Sequence, residues 1–261
     1  EKETLKYAEL TGIHYGKNII FSDYTTSSLM IKMLAKLDVS RRLDAGHTDF
    51  RNEGHALRFH TNNYELAFYD KIKDLHQATI SEGRALEDDN MVQYDLLSKL
   101  KEDKKLEVLR MECRINSKRK LRQFLMKCGV NPKATNFYSL FNKEIAKRVL
   151  LHFWTKCVEP SLNIILLAEN DIEVSFSKLK VAGIKDDTAI KLIGFITIIK
   201  SHGIRGVRSL LVEKSNTYKR MKDKLGKINF DDNYLCSRFC YIKETIDKME
   251  SIKMKEYFIK S

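Results

Sequence analysis

Several groups of side chains in this sequence have the types and spacing that chemistry needs. The most compact is Arg110, Glu112 and Arg114, which alternate with Leu109, Met111, Cys113 and Ile115. A carboxylate between two guanidinium groups stays ionised, and it can bind a divalent cation or orient a basic partner. The same alternation also describes an ordinary solvated face of a half-buried sheet. A second group comes from the segments 55–60 and 64–69, which flank Thr61-Asn62-Asn63. Asn tolerates the left-handed conformations that tight hairpins need. With Asn62-Asn63 at the turn, His60 falls opposite Glu65, and Arg58 and Tyr69 share their face. A His–carboxylate pair beside a phenol can serve metal binding or a tyrosine nucleophile, and it can equally be a surface cross-strand pair. His14 stands alone between Gly12 and Gly16, with Glu9 earlier in the same extended run. A lone strand histidine is either structural or a ligand, and no His-hydrophobic-His pair occurs to supply two ligands from neighbouring positions.

Two basic segments point to phosphate rather than to catalysis. Lys118-Arg119-Lys120 and Arg122 open a helix, where cations oppose the macrodipole and an anion such as a phosphate backbone would compensate them. Farther on, an apolar helix reaches Ser201-His202-Gly203, and a second helix begins with Arg205 and Arg208. Helix, short glycine turn and basic helix is the layout of a helix-turn-helix reader, and of any αα-hairpin.

The elements that must position these residues fall into two halves. Residues up to about 130 mix strands and helices. The run from Leu5 to Phe21 reads as extended. Thr25–Leu37 reads as a helix with an N-cap of Thr or Ser, followed by the hairpin. Two helices cover 71–100 with a break near Ser81–Gly83, then comes a strand ending at Ile115. The basic helix after Ser117 stops at Gly129. After Pro132 only helical spacing remains, over 137–158, 171–181, 188–201, 205–214, 216–225 and 234–259. The expected fold is α+β: an N-terminal antiparallel sheet with packed helices (residues 1–130), followed by an all-α region (131–261) assigned to DNA binding.

Composition limits the partners. Lys+Arg 47 against Asp+Glu 35 gives a formal charge of +12, enough to attract polyanions, of which nucleic acid is the commonest and anionic membrane the rival. An AT-rich genome also produces Lys- and Ile-rich chains, so the placement of the charges decides. No stretch approaches the ~20 apolar residues of a membrane span. The 5 cysteines include no CxxC pair and read as buried free thiols of a reducing cytoplasm. The start at Glu1, without Met, is read as a trimmed or fragmentary N-terminus.

Two segments carry a family resemblance. Tyr64-Glu65-Leu66-Ala67-Phe68-Tyr69-Asp70-Lys71-Ile72-Lys73-Asp74-Leu75 and the later Leu109-Arg110-Met111-Glu112-Cys113-Arg114-Ile115 resemble, in that order, motifs of the rolling-circle replication initiators of filamentous phages and small plasmids. Those proteins show a strand ending Tyr-x-Lys before a helix, then a strand of form Leu-Arg-x-Glu-x-Arg. The resemblance covers residues 1–130 and implies tyrosine-dependent nicking of origin DNA with a divalent metal, Mg or Mn. It implies Glu112 as the carboxylate serving the metal and His14 as a further ligand, with Lys71 and Arg110 as flanking basic positions. The hairpin adds His60 as a third ligand and Tyr69 and Tyr64 as catalytic tyrosines. DNA contacts are expected from Arg110, Arg114, Lys118, Arg119, Lys120, Arg122, Arg205 and Arg208. One departure matters: Ala56 stands where the family places its nucleophile. The expected function is therefore a cytoplasmic DNA-binding, initiator-like protein of a mobile element, working with a helicase or other replication proteins. Nicking stays open beside a non-catalytic DNA-binding module or repressor that keeps the scaffold. A helical interaction protein whose basicity is genomic drift is the third reading.

Overall fold

The computed structural model describes residues 7–23, 25–37, 56–80, 94–99, 106–211, 216–228 and 234–252. The fold is α+β, as the sequence predicts. Four strands, β1 (Ile13–Phe21), β2 (Ala56–His60), β3 (Tyr64–Asp70) and β4 (Glu107–Ile115), form one sheet in the order β1-β4-β3-β2. Every pair is antiparallel. The helices named among the described residues are α1 (Ser27–Ala35), α2 (Lys71–Ile80), α3 (Lys118–Lys127), α4 (Phe137–Leu140), α5 (Lys143–Phe153), α6 (Glu159–Glu169), α7 (Ile172–Val181), α8 (Asp186–Leu210), α9 (Asn216–Gly226) and α10 (Tyr234–Lys248), and residues 94–99 are also helical. A π-helical turn, Trp154–Val158, joins α5 to α6.

The strand alternation sorts residues as expected. Leu57, Phe59, Leu66, Phe68, Leu109, Met111, Cys113, Ile115, Tyr15 and Ile19 are buried on one face. Helix α3 lies against that face, burying Leu121 and Leu125 and bringing Phe124 to 5.1 Å from Tyr64. The opposite face has two parts. At one end Ile20 and Val108 pack with Ile72 and Leu75 of α2 and with Leu97 and Leu106. The rest is polar and carries the candidate site.

Caps account for the sharp joins between elements. Asp70, 1% exposed, ends β3 and accepts from the Ile72 and Lys73 amides at 3.0 Å, so the Tyr-x-Lys segment turns directly into α2. Thr26 Oγ1 accepts from the Leu29 amide at the start of α1. Ser117 occupies the N-cap position of α3, but its side chain makes no capping bond; its carbonyl takes the Lys120 and Leu121 amides instead. Gly129 ends α3 at φ 75°, with Val130 N–H donating back to Leu125 O, a Schellman closure.

The chain divides into two compact units, one of residues 1–32, 41–152 and 244–261, the other of 33–40 and 153–243. This differs from a division at 130, for a local reason. Residues 134–140 are tied to the first unit by the Glu9–Asn136 bridge, by Leu10 N–H on Thr135 O, and by Tyr15 hydroxyl on Leu140 O. The described residues of the second unit form helices and the turns between them. Its central helix α6 buries Ser161 and Ile164–Ala168, and this all-round apolar surface gives no helical period to read in the sequence. In the same unit α8 is interrupted at Gly203 (φ 69°, ψ 168°), where the expected glycine turn falls. Three of the five cysteines are buried; Cys236 is half-buried and Cys240 exposed, so the expectation of buried thiols fails for α10, whose outer face carries them. Residues 1–6, the break near Ser81–Gly83 and Tyr24 lie outside the described residues.

Candidate polar face of the sheet

Antiparallel register places the polar residues in three rows that cross all four strands. The first row is His14, Arg114, Glu65 and His60; the second is Gly16, Glu112, Ala67 and Arg58; the third is Asn18, Arg110, Tyr69 and Ala56. The hairpin register read from Asn62-Asn63 holds, since His60 pairs with Glu65 and Ala56 with Tyr69. Pairing between β1 and β4, distant in sequence, then brings His14, Gly16 and Asn18 alongside the Arg-Glu-Arg strand.

Glu112 is the hub. It is 5% exposed and accepts three hydrogen bonds: Tyr69 hydroxyl at 2.6 Å, Arg110 Nε at 2.9 Å, and Arg114 Nε at 2.9 Å on the other oxygen. His14 Nδ1 lies 3.4 Å from that second oxygen, and its Nε2 is 3.4 Å from Asn116. The guanidinium groups are themselves braced, Arg110 on Asn18 at 3.1 Å and Arg114 on Glu65 at 2.9 Å. Close approach requires Gly16: a Cβ there would stand 2.6 Å from an Arg110 nitrogen.

The electrostatics follow from this geometry. Burial pushes the Glu112 carboxyl up, but bonds from Tyr69 and Arg110 and the charges of both arginines outweigh it and hold the group at about 2. Burial and the neighbouring carboxylate push the Tyr69 phenol well above its ordinary range, against the pull of Arg110. Lys71, at the start of α2, has its ammonium lowered by burial, partly offset by Asp74 at 3.6 Å. Arg110 and Glu112 also act on it, so Lys71 belongs to the cluster. Both shifts run against proton transfer from Tyr69 to Glu112.

The predicted site residues are only partly assembled. Tyr69, Lys71, Arg110, Glu112, Arg114 and His14 converge. His60 shares a row with His14, but Arg114 and Glu65 stand between them, so the two histidines are three strand spacings, roughly 14 Å, apart along the sheet. Tyr64 points to the other face, beside Phe124, because it shares parity with Leu66 and Phe68. Among the described residues no group of three or more His, Cys, Asp or Glu side chains could hold a metal ion. Glu112 would have to give up bonds to Tyr69 or an arginine to accept one.

Lys118, Arg119, Lys120 and Arg122 are all exposed at the start of α3. In the helical unit Arg205 and Arg208 are only partly exposed, and Arg208 lies 5.3 Å over the Tyr218 ring. That stacking, rather than projection into solvent, is where the structure puts the expected helix-turn-helix arginine. Asn18 is absent from the sequence reading, which names Gly16 only as a small neighbour of His14. Their signal was their parity with His14 on one strand.

Among the described residues no helix is long and apolar enough to cross a membrane. No family model, no curated protein and no solved structure matches this chain.

Proposed function

We propose that this chain is a DNA-binding protein of the replication-initiator type, whose polar sheet face holds a phosphate backbone and does not cleave it through Tyr69. The observation that carries the reading is the surplus of guanidinium on that face. Arg58, Arg110 and Arg114 surround two carboxylates, and Arg58 Nε is buried with no hydrogen-bond acceptor, Glu65 being 3.9 Å away. A buried donor without a partner is costly, and the Arg58 side chain, 18% exposed, would gain a partner by turning toward a bound phosphate. Arg110 and Arg114 keep about a quarter of their side chains accessible (26% and 23%), so their outer edges can reach the same anion. The initiator resemblance supplies the nucleic acid as DNA and the setting as a phage, plasmid or related element, with other replication proteins as partners.

One observation favours nicking as a second reading: a phenol and a carboxylate in contact at 2.6 Å are a nucleophile beside a base. The low carboxyl and the raised phenol oppose that use. Mg or Mn at Glu112, with His14, belongs to this second reading alone.

Fluorescence anisotropy with labelled origin-like DNA over a salt series tests the first reading. Arg58→Ala should weaken binding and reduce the slope of log K against log salt by about one. Undetectable or salt-insensitive affinity would sink it. Incubating supercoiled plasmid with Mg²⁺ or Mn²⁺ tests the second, and a nick that disappears in Tyr69→Phe would overturn the non-cleaving assignment.

A further inference from the structure

A second surface in the sheet-bearing unit has a composition that the polar face does not explain. The N-terminal segment, the start of α3 and the loop 132–136 enclose an open groove of about 770 Å³. Lys118, Arg119, Arg122 and Lys133 line it, with Glu9 the one carboxylate among the lining residues. Glu9 pairs with Lys118 at 2.8 Å, and among the described residues Arg119, Arg122 and Lys133 have no acidic partner. The groove is therefore a track of positive charge, and Tyr7 forms part of its wall.

A second exposed ring adjoins that wall, and a further exposed aromatic pair lies beside it in the sequence. Tyr7 and Tyr138 are each 68% exposed, with ring centroids 6.3 Å apart. Phe137 and Phe141, 44% and 74% exposed, stack on each other at 4.8 Å with planes within 14°. Neither pair belongs to the buried core. Exposed rings side by side with cations match one kind of polyanion: a phosphate chain whose flat bases are unpaired and free to stack. Duplex DNA presents the same phosphates but keeps its base faces inside the stack. An acidic peptide offers charge without a π-face. A membrane surface would meet the cations with lipid headgroups and has no use for stacked ring geometry.

We propose that this groove and its aromatic ledge form a binding site for single-stranded nucleic acid, with Arg119, Arg122 and Lys133 on the backbone and Tyr7 and Tyr138 under the bases. It rests on the nucleic-acid reading above and adds the strand form and a second, separate surface. The polar sheet face and the groove are then two contacts for one partner, and the groove discriminates the unpaired strand.

Anisotropy titrations with labelled oligo-dT, oligo-U, a duplex of equal length and poly-Glu test the site in the full chain. The expected order is single strand above duplex, with poly-Glu negligible. Tyr7→Ala with Tyr138→Ala should lower single-strand affinity by about 5- to 100-fold and leave duplex affinity within about two-fold. Tyr7→Phe with Tyr138→Phe should restore it, since the ring is kept; this also separates stacking from misfolding. Arg119→Glu with Arg122→Glu should weaken both forms and flatten the salt dependence. Equal affinity for single strand and duplex, no effect of the tyrosine pair, or poly-Glu binding as well as oligo-dT would overturn the proposal. Loss of single-strand preference with intact, Arg58-dependent duplex binding would overturn the groove alone and leave the sheet-face reading standing.

Discussion

Replacing Glu112 by Gln should convert the buried hub of the polar face into its weakest point, and the size of the effect is set by the carboxyl's depressed pKa. The group is held at about 2 in the folded chain, against an ordinary 4.5. A lowered folded value contributes stability that is complete above about 4.5 and is lost as pH falls through about 2. The difference corresponds to about 3 kcal/mol at pH 7, of which about 2 kcal/mol is already gone at pH 3. Glu112→Gln keeps the shape but removes the charge, leaving Arg110 and Arg114 facing a neutral amide in a site 5% exposed. The variant should be less stable at pH 7 by about 3 kcal/mol, with the gap to wild type closing to about 1 kcal/mol by pH 3. The assay must report on the right unit. The single Trp, Trp154, lies in the helical unit, so its fluorescence follows the wrong transition. Hydrogen exchange at the β4 amides, read during urea unfolding from pH 7 to 3, reports on the sheet. A gap that stays constant across this range would refute the linkage, and a variant as stable as wild type at pH 7 would refute the role of the carboxylate itself.

Two further perturbations follow from close approaches. Gly16→Ala would place a methyl 2.6 Å from the Arg110 guanidinium and should displace it from Glu112; a loss of about 1–3 kcal/mol in urea unfolding, with weaker DNA binding, is expected. An unchanged affinity would show that the Arg110 position is not held by this contact. Gly203→Ala meets both a positive φ of 69° and the Lys36 backbone at 3.1 Å, and should cost the helical unit about 1–3 kcal/mol, visible as a lower Trp154 unfolding midpoint with the sheet unit unaffected.

Much of the candidate site was legible because its signals are local. Strict alternation over 109–115 assigns each residue a face, since the strand period is two. The Asn62-Asn63 turn then fixes the partner of every hairpin residue, and His60 does pair with Glu65. By the same parity Tyr64 belonged to the core with Leu66 and Phe68, so separating it from Tyr69 required no structure. The helical C-terminal half and the stop at Gly129 were likewise written in spacing and in one residue's conformational freedom.

Other features depend on contacts that no short segment encodes. Asn18 braces Arg110 from a strand 92 residues away, and only the antiparallel pairing of β1 with β4 decides that register. The groove takes its cations from α3 and from Lys133 and its ring from Tyr7, three segments without a shared motif. The unit boundary moved past 130 because Tyr15 reaches the Leu140 carbonyl, a bond across 125 positions. Arg208 gives the most direct contrast. Its type and its place after a glycine turn suggest a DNA reader, and its contact with Tyr218 of the next helix is one that no local pattern shows. The sequence by itself determined which residues face the same way on a strand or helix, because that follows from backbone periodicity. Tertiary structure alone decided which of those faces meet and which cations are consumed by a neighbour, because pairing is a property of two segments and the solvent between them.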